Sequence, residues 1–290
     1  MRLIQKIVMY LFLLIACIII FVPIFFLRLD HYPEKPMVVI IPSYKNQQWI
    51  DKNSSSVFNQ KYKNYRVIYI DDCSPDHTYE KAKQINNIHN QSHRTTLRHN
   101  TKRQGALANL YHAIQSCNNN EIIVQLDGDD WFAHDYVLAY INCIYANQDI
   151  WLTYGQFQEY PSCRIGHLYS QHFPQSVIKQ NCMRRYKNLP MSHLRTCYAW
   201  LFKLIKVEDL MYEGDFYQMS WDKAILAPMI EMAADHYACI SEILYIYNNS
   251  NPISAHRIDV NLQHALADHI AHLEPYKPLS TCWQKRNFQS

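Results

Sequence analysis

The sequence predicts an α/β protein: a mainly parallel sheet with helices on both faces, preceded by one N-terminal transmembrane helix. Three observations carry this. Short apolar runs alternate with stretches of helical spacing, which implies right-handed crossovers between parallel strands. Polar clusters fall just past several of those runs, where ligands bind in sheets of this kind. Residues 7–27 carry no charge, and no later run approaches that length.

Ile7 to Leu27 spans 21 residues, about 31 Å as a helix, enough to cross a hydrocarbon core of about 30 Å. A cleaved signal would have a shorter apolar core. Leu14-Ile15-Ala16-Cys17 resembles a lipobox, but the apolar run continues well past Cys17. The reading adopted is a single-pass anchor over residues 1–29, placing the protein at a membrane. Arg2 and Lys6 before it and Arg28 after it are nearly balanced, so they assign no orientation. Residues 30–36, with two prolines, read as a linker to a domain over 37–290.

Within that domain Met37 to Ile41 reads as a buried strand, followed by a helix over Trp49 to Phe58. Arg66 to Ile70 is a second strand, His77 to Ile85 a helix, and Thr95 to Leu97 a short strand. Ala106, Leu107, Leu110, Ala113 and Ile114 have helical spacing. Ile122 to Leu126 is a strand, Val137 to Tyr145 a helix, and Ile150 to Tyr154 a strand. The half after residue 155 is less regular. Leu194, Cys197, Tyr198, Leu201, Phe202 and Ile205 predict an amphipathic helix. A helix over Asp222 to Ala233 is expected to kink at Pro228. Ile240 to Tyr247 reads as a strand, and Ile258 to Leu273 as a last helix.

Counting excludes several functions. Lys plus Arg is 28 against 25 for Asp plus Glu, too balanced for a dedicated nucleic-acid binder. The five glycines are too far apart for a dinucleotide fingerprint or a P-loop. No cysteine pair has C-x-x-C spacing, so zinc ribbons and dithiol redox sites are disfavoured. Most of the nine cysteines are expected to be small buried hydrophobes. His264, His269 and His272 are expected on a solvated helix face.

The informative segment is Ile122 to Trp131, where Asp127, Asp129 and Asp130 follow directly from a buried strand. Clustered carboxylates repel one another unless a cation compensates them. A hard divalent ion takes oxygen ligands, and a diphosphate can complete its coordination. Taken alone, the segment could equally be a turn with Asp at helix-start positions. Upstream, Pro42-Ser43-Tyr44 ends the first strand and Asp71-Asp72 ends the second. A nucleotide base needs a stacking ring and an acceptor for its imide N–H, which Tyr44 and Asp72 could supply. Core packing for Tyr44 and an Asx turn for Asp71-Asp72 are the plain alternatives.

In this order the segments resemble family 2 glycosyltransferases with the GT-A fold, closely over about residues 37–155. The stretch Asn100 and Arg103 to Asn109 is part of the resemblance. The resemblance implies that residues 37–155 bind a nucleotide-diphospho-sugar and that residues 156–290 receive the acceptor. It implies donor contacts from Pro42, Tyr44, Asp71, Asp72, Arg103, Asp127 and Gly128, with Mn2+ or Mg2+ on Asp129 and Asp130. Arg195 could reach the diphosphate, since a guanidinium suits phosphate. The sequence departs from the family at Cys73, where Gly is common.

The general base is expected in the second half, among Glu208, Asp209, Glu213, Asp215, Asp222 and Glu231. Asp222 is preferred because it opens a helix, where the dipole favours the charged form a base needs. A cap at that helix start is its plain alternative. The activity so implied is an inverting hexosyl or N-acetylhexosaminyl transfer, with a UDP-sugar donor and a glycan, lipid-linked or protein acceptor. The Q-x-x-R-W motif of processive synthases is missing, which points to one or a few sugars per acceptor. The rivals are a nucleotidyltransferase and a non-catalytic carbohydrate-binding or scaffolding protein on the same fold.

Overall fold

The computed structural model describes residues 32–166, 171–186, 190–253 and 259–281. The expected anchor lies outside the described residues. Among the described residues no helix is long and apolar enough to cross a membrane.

The centre is an eight-stranded sheet. The strands are β1 (Met37–Ser43), β2 (Tyr65–Asp71), β3 (Thr95–His99), β4 (Ile122–Gln125), β5 (Trp131–Phe132), β6 (Leu152–Tyr160), β7 (Arg195–Tyr198) and β10 (Tyr237–Asn248). Their order is β3-β2-β1-β4-β7-β6-β10-β5. β7 pairs antiparallel with β4 on one side and β6 on the other, and β5 pairs antiparallel with β10. The remaining strands run in one direction, as the alternation with helices predicts. A separate two-stranded hairpin, β8 (Met211–Tyr212) and β9 (Asp215–Phe216), precedes the helix that carries Asp222.

Alternate residues of β1 enter different cores. Val38 and Ile40 pack with Leu107, Leu110 and Ile114 of helix Ala106–Gln115. Met37, Val39 and Ile41 pack on the opposite face with Ile50 and Val57 of helix Ile50–Phe58 and with Ala82 and Ile85 of helix Thr78–Ile88. Both faces are therefore covered, which is why β1 reads as a continuous apolar run.

The amphipathic helix expected over residues 194–205 does not form as such. Arg195–Tyr198 is strand β7, followed by a one-turn helix, Ala199–Phe202. Thr196 is β-branched and buried, and its hydroxyl meets those of Thr153 (2.6 Å) and Tyr145 (2.9 Å). Two flanking strands satisfy this backbone, so tertiary pairing overrides the helical spacing. Helix Trp221–Ala233 runs through Pro228 without a break. The strand expected at 150–154 extends to Tyr160. Of the described cysteines only Cys117 and Cys197 are buried, so the expected burial does not hold for most of them. His264, His269 and His272 are exposed as expected, and His269 Nδ1 also lies 2.8 Å from the Tyr217 hydroxyl.

Residues 32–36, within the expected linker, are hydrogen-bonded to the domain. The Glu34 carboxylate accepts from the backbone N–H of Asn64 (2.8 Å) and Lys63, and the Lys35 carbonyl accepts from Tyr62 Oη (2.7 Å).

Candidate active site

The carboxyl ends of β1 and β4 open onto a cleft of about 330 Å3. Its lining brings together Pro42, Tyr44, Arg103, Asp127, Gly128, Asp129, Asp130, Arg195 and Asp222. These residues come from both halves of the sequence. Asp71 and Asp72 are not part of this lining.

The loop after β4 is pinned from below. Asn53 Nδ2 donates to the carbonyls of Asp127 (2.9 Å) and Asp130 (2.8 Å). Gly128 N donates to the Pro42 carbonyl (3.2 Å). A Cβ at Gly128 would lie 2.5 Å from Ser43 Oγ and 2.7 Å from Asn46 Nδ2, so glycine is what lets the acidic loop lie against β1. Ser43 Oγ is itself fixed by Tyr69 Oη (2.8 Å).

The three carboxylates part company. Asp130 is buried, and it accepts from Tyr245 Oη (2.6 Å) and Asn248 N (2.7 Å). Asp130, expected as a metal ligand, has both oxygens held by protein donors. Asp129 Oδ2 accepts from Asn251 Nδ2 (2.7 Å). Burial, with the charges of Asp129 and Asp222 adding to it against the pull of Arg195, pushes the Asp127 carboxyl up to about 6. Burial also raises Asp129 and Asp130. The cluster is thus short of positive charge. Among the described residues no group of three His, Cys, Asp or Glu is arranged to hold a metal ion. Asp127 and Asp129 can still offer oxygens to Mg2+ or Mn2+. Mg2+ in particular is commonly held by one or two carboxylates and completed by substrate phosphates.

The second Asp pair is committed to the fold. Asp72 Oδ1 accepts from Asn100 Nδ2 (2.8 Å) and Gln104 N (2.9 Å), and Oδ2 accepts from Gly105 N (2.8 Å). Burial alone would raise its pKa, but these bonds and one with Asn109 hold it below the ordinary value. Asp72, expected to meet a base, ties the loop 100–105 to β2. Asp71 is fully buried; its Oδ2 accepts from Ser74 N (3.1 Å) and lies 3.2 Å from His99 Nδ1. The following Cys73 has φ +58°, the left-handed region that glycine adopts freely, which accounts for Gly being common there in the family. Tyr44 is half-buried at the cleft edge, and the Arg103 guanidinium stands 4.0 Å above its ring.

On the far wall Arg195 Nη2 lies 3.3 Å from Asp222 Oδ2. The Arg195 side chain is 7% exposed and that of Asp222 45% exposed, so the carboxylate is the accessible partner. Arg195 Nε is buried without a hydrogen-bond partner. Asp222 Oδ1 accepts from Lys223 N (2.8 Å) in the first turn of its helix. Glu231 is far from this chemistry, in a fully buried bidentate pair with Arg184 (2.6 Å). Asp209 bonds the Tyr276 hydroxyl.

Sequence reasoning missed His193, Tyr245, Asn248 and Asn251. His193 lines the cleft and stacks on Tyr245 at 4.4 Å. Burial, and then Arg195, hold its pKa well below the ordinary value, so it is a neutral imidazole. No local pattern marks these residues, because β7 and β10 reach the site only through long-range pairing. The shared signal is polar or aromatic side chains within or just beyond strands of the second half.

A family model described as Glycosyl transferase family 2 matches residues 38–205, more than half of the chain. A Bacillus subtilis protein named as the putative teichuronic acid biosynthesis glycosyltransferase TuaG is 31% identical over 102 residues, 35% of this chain and 39% of that one. An uncharacterized glycosyltransferase of Haemophilus influenzae is 29% identical over 119 residues, 41% of this chain and 46% of that one. The chain thus spans less than half the length of these relatives. Among solved structures, S. aureus TarS 1-349 in complex with UDP-GlcNAc superposes with a TM-score of 0.53 at 14% identity, covering 74% of this chain and 59% of that one. Mannosyltransferase PcManGT from Pyrobaculum calidifontis, in complex with GDP-Man and Mn2+, gives 0.52 at 17% identity, covering 79% and 63%. At these identities the superpositions establish a shared fold.

Proposed function

The chain belongs to glycosyl transferase family 2, and from that premise we propose that it is an inverting, metal-dependent glycosyltransferase. Its donor is a nucleotide-diphospho-sugar, UDP-linked in this reading, and it passes one or a few sugars to an acceptor hydroxyl at a membrane. The observation that carries the reading is convergence. Tyr44 just after β1, Asp127 and Asp129 after β4, Arg195 on β7 and Asp222 at a helix start all line one cleft.

The chemistry divides between two walls. Tyr44 offers its ring to the base. Asp127 and Asp129 would hold Mn2+ or Mg2+, which when bound would neutralise the donor diphosphate as a Lewis acid. Arg195 is positioned to bind the departing diphosphate through charge-assisted hydrogen bonds. Asp222, the accessible carboxylate, takes the proton of the acceptor hydroxyl as its oxygen attacks the anomeric carbon and the bond to the diphosphate breaks. Arg195 pairs with Asp222 and acts electrostatically on Asp127, so its charge would couple the base to the diphosphate side. His193, neutral and packed on Tyr245, accepts from Arg195 Nη2 (3.4 Å) and orients it.

Thermal shift of the purified chain with UDP, GDP and Mn2+ tests the donor site. Joint stabilisation by UDP and Mn2+ supports the reading; no response to either nucleotide would favour a scaffold. A screen of radiolabelled nucleotide sugars for hydrolysis then identifies the sugar.

A further inference from the structure

β1, β2 and β3 run parallel, with Met37 opposite Tyr65 and Val67 opposite Thr95, so their first residues share one end of the domain. The cleft lies at the other end, beyond the carboxyl ends of β1 and β4. Two helices return to the first end. Tyr65 Oη donates to the Val57 carbonyl (2.9 Å) in the last turn of helix Ile50–Phe58, and Phe58 packs on His89 (5.4 Å), just past helix Thr78–Ile88. The chain enters the domain at this same end, through residues 32–36.

Below β1–β3 this end is basic. Lys61 and Lys63 are exposed, Lys35 and Arg94 are half-buried, and none of the four forms an ion pair with a described carboxylate. Arg94 stands 4.7 Å above the Tyr65 ring, and its Nη1 donates to the Lys63 carbonyl (3.5 Å), so the cations sit together. Two carboxylates are close by. Glu34 accepts from the N–H groups of Lys63 and Asn64, and Asp135 is the residue whose carbonyl accepts from Lys61 N (2.7 Å). Four cations against these two acids leave a positive surplus. Apolar side chains project at the same end. Ile88 is 70% exposed, the most of any large apolar residue among the described residues, and Tyr32 is 43% exposed. At the starts of β6 and β10 stand Asp149 and Asp235, so the basic character belongs to the β1–β3 side.

The position of the apolar run gives this face its partner. Five residue steps separate Leu27 from Tyr32, so the two lie at most about 18 Å apart. A run held in lipid would therefore keep this end of the domain near the headgroups, and cations there are attracted to an anionic surface. We propose that the end formed by the starts of β1–β3 is a docking face for an anionic phospholipid bilayer. Lys35, Lys61, Lys63 and Arg94 meet the headgroups, and Ile88 and Tyr32 enter the interface. The proposal rests on the reading that residues 7–27 lie in lipid, and not on the sugar chemistry. Docked in this way the sheet stands on the starts of its strands. β1, seven residues long, then lifts the cleft about 23 Å from the headgroups, and the cleft opens away from the bilayer.

Flotation and hydrogen exchange test this on the full chain, reconstituted into vesicles of phosphatidylcholine alone or mixed with phosphatidylglycerol. The chain is expected to float with both. Amide exchange over residues 59–65 and 87–95 should be slower by about fivefold or more in the anionic vesicles, the scale of one cation at an anionic surface. The difference should fade in about 1 M salt, where the screening length is about 3 Å. Residues 102–108, at the cleft end, should exchange alike in both. Lys61→Glu combined with Lys63→Glu should erase the difference and leave UDP affinity unchanged, because neither residue lines the cleft. Equal exchange in the two vesicles, slowing that survives high salt, or slowing that the double variant retains would each overturn the proposal. Slowing centred on residues 102–108 would overturn it too, by turning the cleft toward the bilayer. Flotation with the anionic vesicles alone would sink the lipid reading of residues 7–27 and leave the docking face standing. Flotation with both and no difference in exchange would do the reverse, and flotation with neither would sink both.

Discussion

At the scale of single residues, the acidic loop sets the sharpest expectations. Asp129→Ala removes one carboxylate from a group that burial and mutual repulsion already disfavour, and it forfeits one bond to Asn251. The two effects oppose each other, so thermal stability should change by less than about 1 kcal/mol. UDP binding should lose its Mn2+ dependence and turnover should vanish; calorimetry showing wild-type UDP–Mn2+ affinity would remove Asp129 from the metal assignment. Asp222→Asn keeps the shape and removes the basicity, so turnover should fall by about a hundredfold or more with UDP affinity nearly unchanged. Near-normal turnover would transfer the role to Asp215, which lines a neighbouring cavity. Asp127 sets a pH dependence. Its folded pKa is raised to about 6, from roughly 4 in the unfolded chain. The folded state therefore binds the extra proton between those values, and stability from this group grows as pH falls from about 6 to about 4. In EDTA, the melting temperature of wild type should rise relative to Asp127→Asn over that window; a constant difference between the two would contradict the raised pKa.

At the scale of elements, the first half of the domain was legible, while in the second half helix Trp221–Ala233, strand β10 and helix Val260–His272 were legible and β7 was not, for a physical reason. β1 and β4 are buried on both faces and parallel, as is β2 from Val67 onward, so they read as apolar runs, with Arg66 at the start of β2 partly exposed. The cleft residues at their ends follow by position, as Tyr44 and Asp127 do. β7 is different: its four residues owe their strand conformation to Ile122–Gln125 and Leu152–Thr153 on either side, and nothing local announces that. Asp72 was legible as a site residue but not as the anchor of the loop 100–105, because its donors, two backbone N–H groups and the Asn100 amide, lie some thirty residues away. The same long-range logic governs Arg184 and Glu231. Their buried pair joins the short helix Met183–Arg185 to helix Trp221–Ala233, and Glu231 also accepts from Tyr276 N (2.9 Å). Glu231→Gln leaves a buried guanidinium without its counter-charge, a loss of about 3–5 kcal/mol. Urea unfolding should register it as a lower midpoint, while UDP affinity in the folded protein stays close to wild type; an unchanged midpoint would mean that the pair is not closed in solution.

At the scale of the whole molecule, the question is where the domain begins. Composition placed a linker at residues 30–36, yet the backbone there is stitched to three parts of the fold. Glu34 receives the N–H groups of Lys63 and Asn64, Lys35 N donates to Asn142 Oδ1 (3.0 Å), and Ile122 N donates to the Pro36 carbonyl (2.9 Å). The last of these belongs to the Met37–Ile122 pair that opens the β1–β4 ladder, so residues 32–36 lead into the first strand already hydrogen-bonded to the domain. The apolar run at 7–27 ends before this stitching starts, and every cleft residue lies after Pro36. Two truncations separate an anchor from a structural element. Removing residues 1–31 should leave a chain that is soluble without detergent, melts like the parent and binds UDP with unchanged affinity. Removing residues 1–36 should cost about 1–2 kcal/mol, roughly 2–8 °C in melting temperature, because the hydrogen bonds made by this segment are few and several of them are exposed. Aggregation of the shorter truncation in detergent-free buffer would show that the apolar segment packs on the domain instead of lying in lipid. Equal melting temperatures for the two truncations would show that the domain starts at β1 and that the composition-based boundary at residue 37 was the right one.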